Sequence, residues 1–215
     1  KPGGLLTGRR IKSIFKPLLK GTRFFEDLVI PCRTVATDIE TGERIAIKDG
    51  RLVDAFKASS SVPMIWCPEN LKGRVLVDGA VTDPVPAEVI REMGADICIA
   101  INVVPPVRKG VDTLLTMAYR KINRLNPLLF LSRSPNAPNM FGVIMNTIQT
   151  LQYELGNFKA ISADVLINPD LSEFTWIEFY RSAELIEKGR QAALEVLPDG
   201  KETITKPAEK RKAIP

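Results

Sequence analysis

Histidine is absent from the 215 residues. Without it the chain by itself cannot assemble a Ser-His-Asp triad, a Cys-His pair or a histidine-bearing metal site. Cysteine is scarce: Cys32, Cys67 and Cys98 lie far apart, each among apolar neighbours. An odd, scattered set of this kind reads as reduced, half-buried strand cysteines rather than a disulfide frame, and it points to a reducing compartment. No apolar run reaches the roughly 18 residues that a membrane span requires. Neither sign of charge dominates, since 30 Lys and Arg against 25 Asp and Glu leave +5, much of it at the two ends. No element combines clustered basic residues with interleaved aromatics, so no nucleic-acid partner is expected. The chain begins at Lys1 without an initiator Met, and the expectation is that an N-terminal part is missing from it, which leaves a targeting segment unassessed.

What remains is a composition of 45% hydrophobic and 26% charged residues, ordinary for one large globular domain with a substantial core. The spacing of Ile11, Ile14, Phe15, Leu18 and Leu19 predicts a helix over 8–21, with Pro17 near its end. Two β-rich runs around Glu40, Thr41, Gly42 and Glu43 predict a hairpin, which Asp38 would cap. A short helix is expected over 52–62, running into Ser59, Ser60 and Ser61. A strand over Met64–Cys67, a polar turn from Glu69 to Gly73 and a strand over 74–78 follow. DPVPAEVIREMG reads as a helix with Asp83 as N-cap, Pro84 and Pro86 in its first turn and Gly94 at its stop. The nearly continuous apolar run 95–104, ending near Asn102, predicts a strand buried on both faces, hence a βαβ unit and a parallel sheet. Helices are expected over 111–125, over 140–156 (with Ile144, Ile148, Leu151 and Leu155 as core) and over 179–197 (with Phe179, Ala183, Ile186, Ala193 and Leu197 on one stripe). A last short strand falls at 164–170. Trp66 and Trp176 read as packing residues. The domain is expected over 1–198, with a polar, disordered tail over 199–215.

Within RVLVDGAVTDPVPAEVI one carboxylate stands out. Asp78 ends a run of aliphatic residues, and in open α/β sheets reactive groups gather outside the carboxyl ends of strands. Gly79 and Ala80 then remove bulk, so that a substrate or catalytic partner can approach. The plainer alternative is that Asp-Gly is a favoured turn pair and Asp78 caps it.

Several motifs in order, TVATDIETGE, DGRLVDAFKASSSVPMIWCP, GRVLVDGAVTDPVPAEVIREMGAD and ADVLINPDL, resemble the patatin-like phospholipase family, above all its bacterial esterases and the neuropathy target esterase group. The resemblance runs from about Gly4 to Pro198. It implies an α/β fold, a mainly parallel sheet layered by helices, and hydrolysis of lipid acyl esters by a Ser-Asp dyad. By the same resemblance Asp78 of the D-G-[GA] motif is the catalytic aspartate, with Gly79 and Ala80 beside the substrate. A dyad without histidine suits a chain without histidine. The family's other half, a serine in G-x-S-x-G, and its glycine-rich oxyanion loop are not in this sequence; both precede this region in the family. The expectation is therefore a C-terminal portion of the catalytic domain, lacking its first strands and the nucleophile turn and inactive alone. Ser59, Ser60 and Ser61 lack the flanking glycines of a nucleophile turn. The resemblance further implies no metal or organic cofactor, a phospholipid or lysophospholipid substrate, peripheral membrane contact, and a cytoplasmic or membrane-peripheral location. Two other readings stand beside it: a non-catalytic interaction or regulatory module, and an acyltransferase using the same dyad.

Overall fold

The structure is a computed structural model that describes residues 4–6, 9–107, 140–174 and 178–205. Its elements run β1 (Gly4–Leu6), α1 (Arg9–Leu18), β2 (Thr34–Asp38), β3 (Arg44–Ile47), α2 (Leu52–Ser59), β4 (Met64–Trp66), β5 (Glu69–Leu71), β6 (Arg74–Asp78), α3 (Ala87–Glu92), β7 (Ile99–Ile101), α4 (Met140–Ala160), β8 (Val165–Ile167) and α5 (Ser182–Thr205). Single 3-10 turns occupy Phe25–Asp27, Gly79–Val81 and Phe179–Arg181. The α/β class expected from the sequence holds, in mixed sheets. Parallel pairing is found between β1 and β4 and between β7 and β8, whereas the four-stranded sheet, in the order β3-β2-β6-β5, is antiparallel.

That antiparallel sheet carries the site, and local sequence explains it. Gly42 takes a positive φ of 74° at the β2–β3 turn, and Asp38 caps the turn as expected, its Oδ1 accepting the Glu40 N–H at 3.0 Å. One face of the sheet packs on α2, and Phe25, Ala36, Ile47, Leu52, Ala55, Ala58 and Leu76 form the shared core. Fully burying such side chains stabilises by about 1.5–3 kcal/mol for each large one. A charge network pins α1 and β5 to α2. Lys12 reaches Asp54 at 2.8 Å and Glu69 at 2.5 Å, and Glu69 also holds the buried Lys57 at 2.7 Å.

Elsewhere the structure corrects the expectations. The polar turn from Glu69 is a strand, β5, because Lys72 and Gly73 both adopt positive φ, 53° and 78°, and close a tight hairpin onto β6. β6, α3 and β7 do not form a βαβ unit, since β6 pairs antiparallel with β2 and β5 while β7 pairs with β8. β7 is buried on one face only: Ala100 is covered, while Ile99 and Ile101 are about half exposed. α3 starts at Ala87 with Pro86 as its N-cap, so Asp83 is not the cap; Gly94 does follow its end with φ 88°. No cysteine lies inside a strand: Cys32 is exposed, Cys67 intermediate and Cys98 buried, and none is in a disulfide.

The long helices form where expected but turn a different side inward. On α4, Ile144 and Leu151 are exposed, and Met145, Gly156 and Ala160 are buried. On α5, Ile186 is exposed and Ala192 buried. α5 continues to Thr205, past the expected domain end at 198. The expected helix over 111–125, Trp176 and residues 206–215 lie outside the described residues.

Candidate active site

Asp78 is the last residue of β6, opposite Ala36 of β2. Its backbone is held at both its N–H and its carbonyl. The N–H donates to the Ser61 carbonyl at 3.0 Å, the carbonyl accepts from Thr37 Oγ1 at 3.0 Å, and Thr37 Oγ1 in turn lies 2.8 Å from Thr82 Oγ1. The 3-10 turn after it is closed by the N–H groups of Thr82 and Asp83, which donate to the Gly79 carbonyl at 3.1 and 2.8 Å. Arg44 braces the far side. It donates to Asp83 Oδ2 at 2.9 Å, and to Glu88 and Glu92 at 3.1 and 2.7 Å.

The Asp78 side chain is half-buried. Its Oδ1 accepts the Ala80 N–H at 2.8 Å, the local turn cap that the plainer reading anticipated. Oδ2 has no hydrogen-bond partner among the described residues. Loss of water drives the carboxyl pKa up from 3.8 to about 6, and the Ala80 N–H opposes that rise. An unperturbed carboxylate is a weak base; this one titrates close to neutrality, where a general base is most effective.

Gly79 is required for a reason the sequence did not disclose. A Cβ on it would overlap the Val35 carbonyl oxygen and lie 2.6 Å from the carbonyl carbon. The space opened by the missing side chain is filled by the β2 backbone, not left for a ligand. The Ala80 N–H is already committed to Asp78, so it is not free to stabilise an oxyanion.

Within the serine cluster Ser61 serves the fold. Ser61 is fully buried, its Oγ donates to the Lys57 carbonyl at 2.7 Å, and its carbonyl supports Asp78. Asn102 is also buried; its Nδ2 donates to Asn157 Oδ1 at 3.0 Å, and its Oδ1 accepts the Val104 N–H at 3.3 Å. Thr37, Thr82, Arg44 and Asp83 are the supporting residues that sequence reasoning missed as a group. The only available signal was an Arg on a strand beside a predicted hairpin, too common a feature to single out. Among the described residues there is no group of three or more Cys, Asp or Glu side chains placed to hold a metal ion.

Comparison with known proteins returns one family repeatedly. The family model "Patatin-like phospholipase" matches residues 1–91, which include all of β6 and the Asp78 turn. The chain is similar to an uncharacterized NTE family protein of Mycobacterium tuberculosis (strain H37Rv), 25% identical over 252 residues that cover 90% of this chain and 70% of the relative. It is also similar to Lysophospholipase NTE1 of Pyricularia oryzae, 24% identical over 94% of this chain but only 14% of that much longer protein. A shorter stretch, 43% of the chain, is 36% identical to patatin-like phospholipase domain-containing protein 7 of Rattus norvegicus and spans 7% of it. Motifs, α/β fold and relatives thus agree that the resemblance of this chain is to the patatin-like phospholipases, a family of lipid hydrolases.

Proposed function

We propose that this chain is the C-terminal portion of a lipid acyl-ester hydrolase, of phospholipase A or lysophospholipase type, in which Asp78 is the proton-accepting half of a Ser-Asp dyad. The observation that carries the reading is the Asp78 carboxyl itself: fixed through its backbone, free at Oδ2 among the described residues, and raised to about 6 by burial. The partner serine would come from a G-x-S-x-G turn upstream. Its hydroxyl proton passes to Asp78 as Oγ attacks the ester carbonyl. Backbone N–H donors of an upstream loop hold the tetrahedral oxyanion, and collapse expels the alcohol, which takes the proton back. Water then releases the acyl group by the same path. Gly79 and Ala80 act here by shaping the turn that presents Asp78.

The substrate in this reading is a phospholipid or lysophospholipid met at a membrane surface, and the protein works in the cytoplasm or peripherally on a membrane. No helix among the described residues is long and apolar enough to cross a bilayer. The test is hydrolysis of lysophosphatidylcholine and of a nitrophenyl acyl ester by the full-length protein, with and without a serine-directed fluorophosphonate. Turnover abolished by the label, and absent from the 215-residue chain alone, supports the reading. No turnover and no labelling of the full-length protein would favour a non-catalytic module, and acyl transfer to an added alcohol in preference to water would favour an acyltransferase.

A further inference from the structure

A cleft of about 440 Å³ opens where the end of α1 meets the start of α2, lined by Lys16, Leu19, Arg23, Phe24, Arg51 and Val53 among others. Three of its lining residues are cations and none is a carboxylate. Among the described residues Lys16 and Arg23 make no ion pair. Arg51 lies 3.8 Å from Asp54, a distant contact to a carboxylate that Lys12 already holds at 2.8 Å. The nearby Asp27 is spent on the backbone, its Oδ2 accepting the N–H groups of Arg23 and Phe24 at 3.3 and 3.1 Å.

The main chain builds this arrangement. Phe24 and Arg51 form an antiparallel bridge, the Leu52 N–H donates to the Arg23 carbonyl at 3.0 Å and the Phe25 N–H to the Gly50 carbonyl at 3.2 Å. These main-chain contacts bring Arg23 and Arg51 to the wall of one cleft. Arg51 is also the N-cap of α2, so the positive end of that helix adds to the same field. Leu19, Phe24 and Val53 supply an apolar wall beside the cations.

We propose that this cleft binds a phosphate group carried by an anionic amphiphile, with the head group among Lys16, Arg23 and Arg51 and its first methylenes against Leu19, Phe24 and Val53. Guanidinium groups suit phosphate because their forked donors meet two oxygens at once. The site is distinct from Asp78. α2, eight residues and about 12 Å long, runs from Arg51 toward the segment whose Ser61 carbonyl holds Asp78, and Asp78 is not among the residues that line the cleft. The inference does not rest on the hydrolase reading, and its test requires no turnover.

The experiment is calorimetric titration of the chain with dihexanoyl phosphatidic acid below its micellar concentration, and separately with inorganic phosphate, at low salt. Saturable binding of the lipid is expected, weakened on the order of tenfold or more in Arg23→Gln/Arg51→Gln and in Lys16→Gln, and unchanged in Lys48→Gln. Tighter binding of the lipid than of inorganic phosphate assigns the site to a lipid head group; equal binding retains the phosphate site but overturns the amphiphile. No saturable binding of either probe, or binding that survives both cleft variants, overturns the proposal. The substituted side chains are exposed, and a thermal melt of each variant verifies that it is folded.

Discussion

Replacing Asp78 by Asn should make the folded chain more stable at neutral pH. The wild-type carboxyl has a folded pKa of about 6 against 3.8 when free in water. Because the folded value is the higher one, the stabilising contribution is complete below pH 3.8, where the group is protonated in both states, and is lost as pH rises through about 6. The displacement is roughly two on the pH scale, and at about 1.4 kcal/mol for each the ionised carboxylate costs the fold about 3 kcal/mol. Water still reaches part of the side chain, which reduces the expected cost to about 2 kcal/mol. Asn keeps the shape and an Oδ1 acceptor for the Ala80 N–H, but it carries no charge to desolvate. The assay is urea unfolding of wild type and Asp78→Asn at pH 4, 5.5 and 7.5. The variant should gain on the wild type as pH rises, with most of the difference appearing between pH 4 and 7. A gap that does not change with pH, or a variant less stable than wild type at pH 7.5, would refute the reasoning. In that case the carboxylate is satisfied in the fold, and its burial is not a cost retained for chemistry.

Further outcomes follow from the same geometry. Gly79→Ala forces a methyl into the Val35 carbonyl, and a thermal or urea melt should show a loss on the order of 3 kcal/mol; a neutral result would mean that β2 moves aside freely. Arg44→Ala leaves Asp83, which is only 3% exposed with Oδ1 already unpartnered, as an uncompensated buried charge. Its melt should report a loss of about 3 kcal/mol, and loss of less than about 1 kcal/mol would remove Arg44 from the frame of the site. For the full-length protein, kcat/KM for ester hydrolysis should rise with pH through an apparent pKa of about 6 and level off above it, as a base active in its ionised form requires. A profile flat from pH 4.5 to 8 would disconnect Asp78 from turnover.

Much of the frame around Asp78 was legible because it depends on local chemistry. The Asp38 cap, the Gly42 turn, the serine-ended helix α2 and the strand end at Asp78 each follow from a few adjacent residues. β5 was missed because its three residues owe their conformation to the Lys72-Gly73 turn, which the more common Asn-Gly or Asp-Gly signal would have announced. The helix faces were misassigned for a different reason. Periodicity shows that α4 has an apolar stripe, but its buried side is set by close approach. Gly156 lies where a Cβ would meet Asn102 Oδ1 at 3.3 Å and Pro84 at 3.6 Å, so small residues face the body while Ile144 and Leu151 do not. The role of Gly79 was hidden likewise, since contact with Val35, distant in sequence, cannot be read from the D-G-A motif.

The most direct measurement of the central claim is ester turnover by Asp78→Asn in the full-length protein, made alongside the melt at pH 7.5. The account predicts that turnover falls on the order of a hundredfold to ten-thousandfold while the fold is at least as stable as wild type. A well-folded variant that keeps more than about a tenth of wild-type turnover, far outside that loss, would contradict it and leave Asp78 as the cap of its own turn.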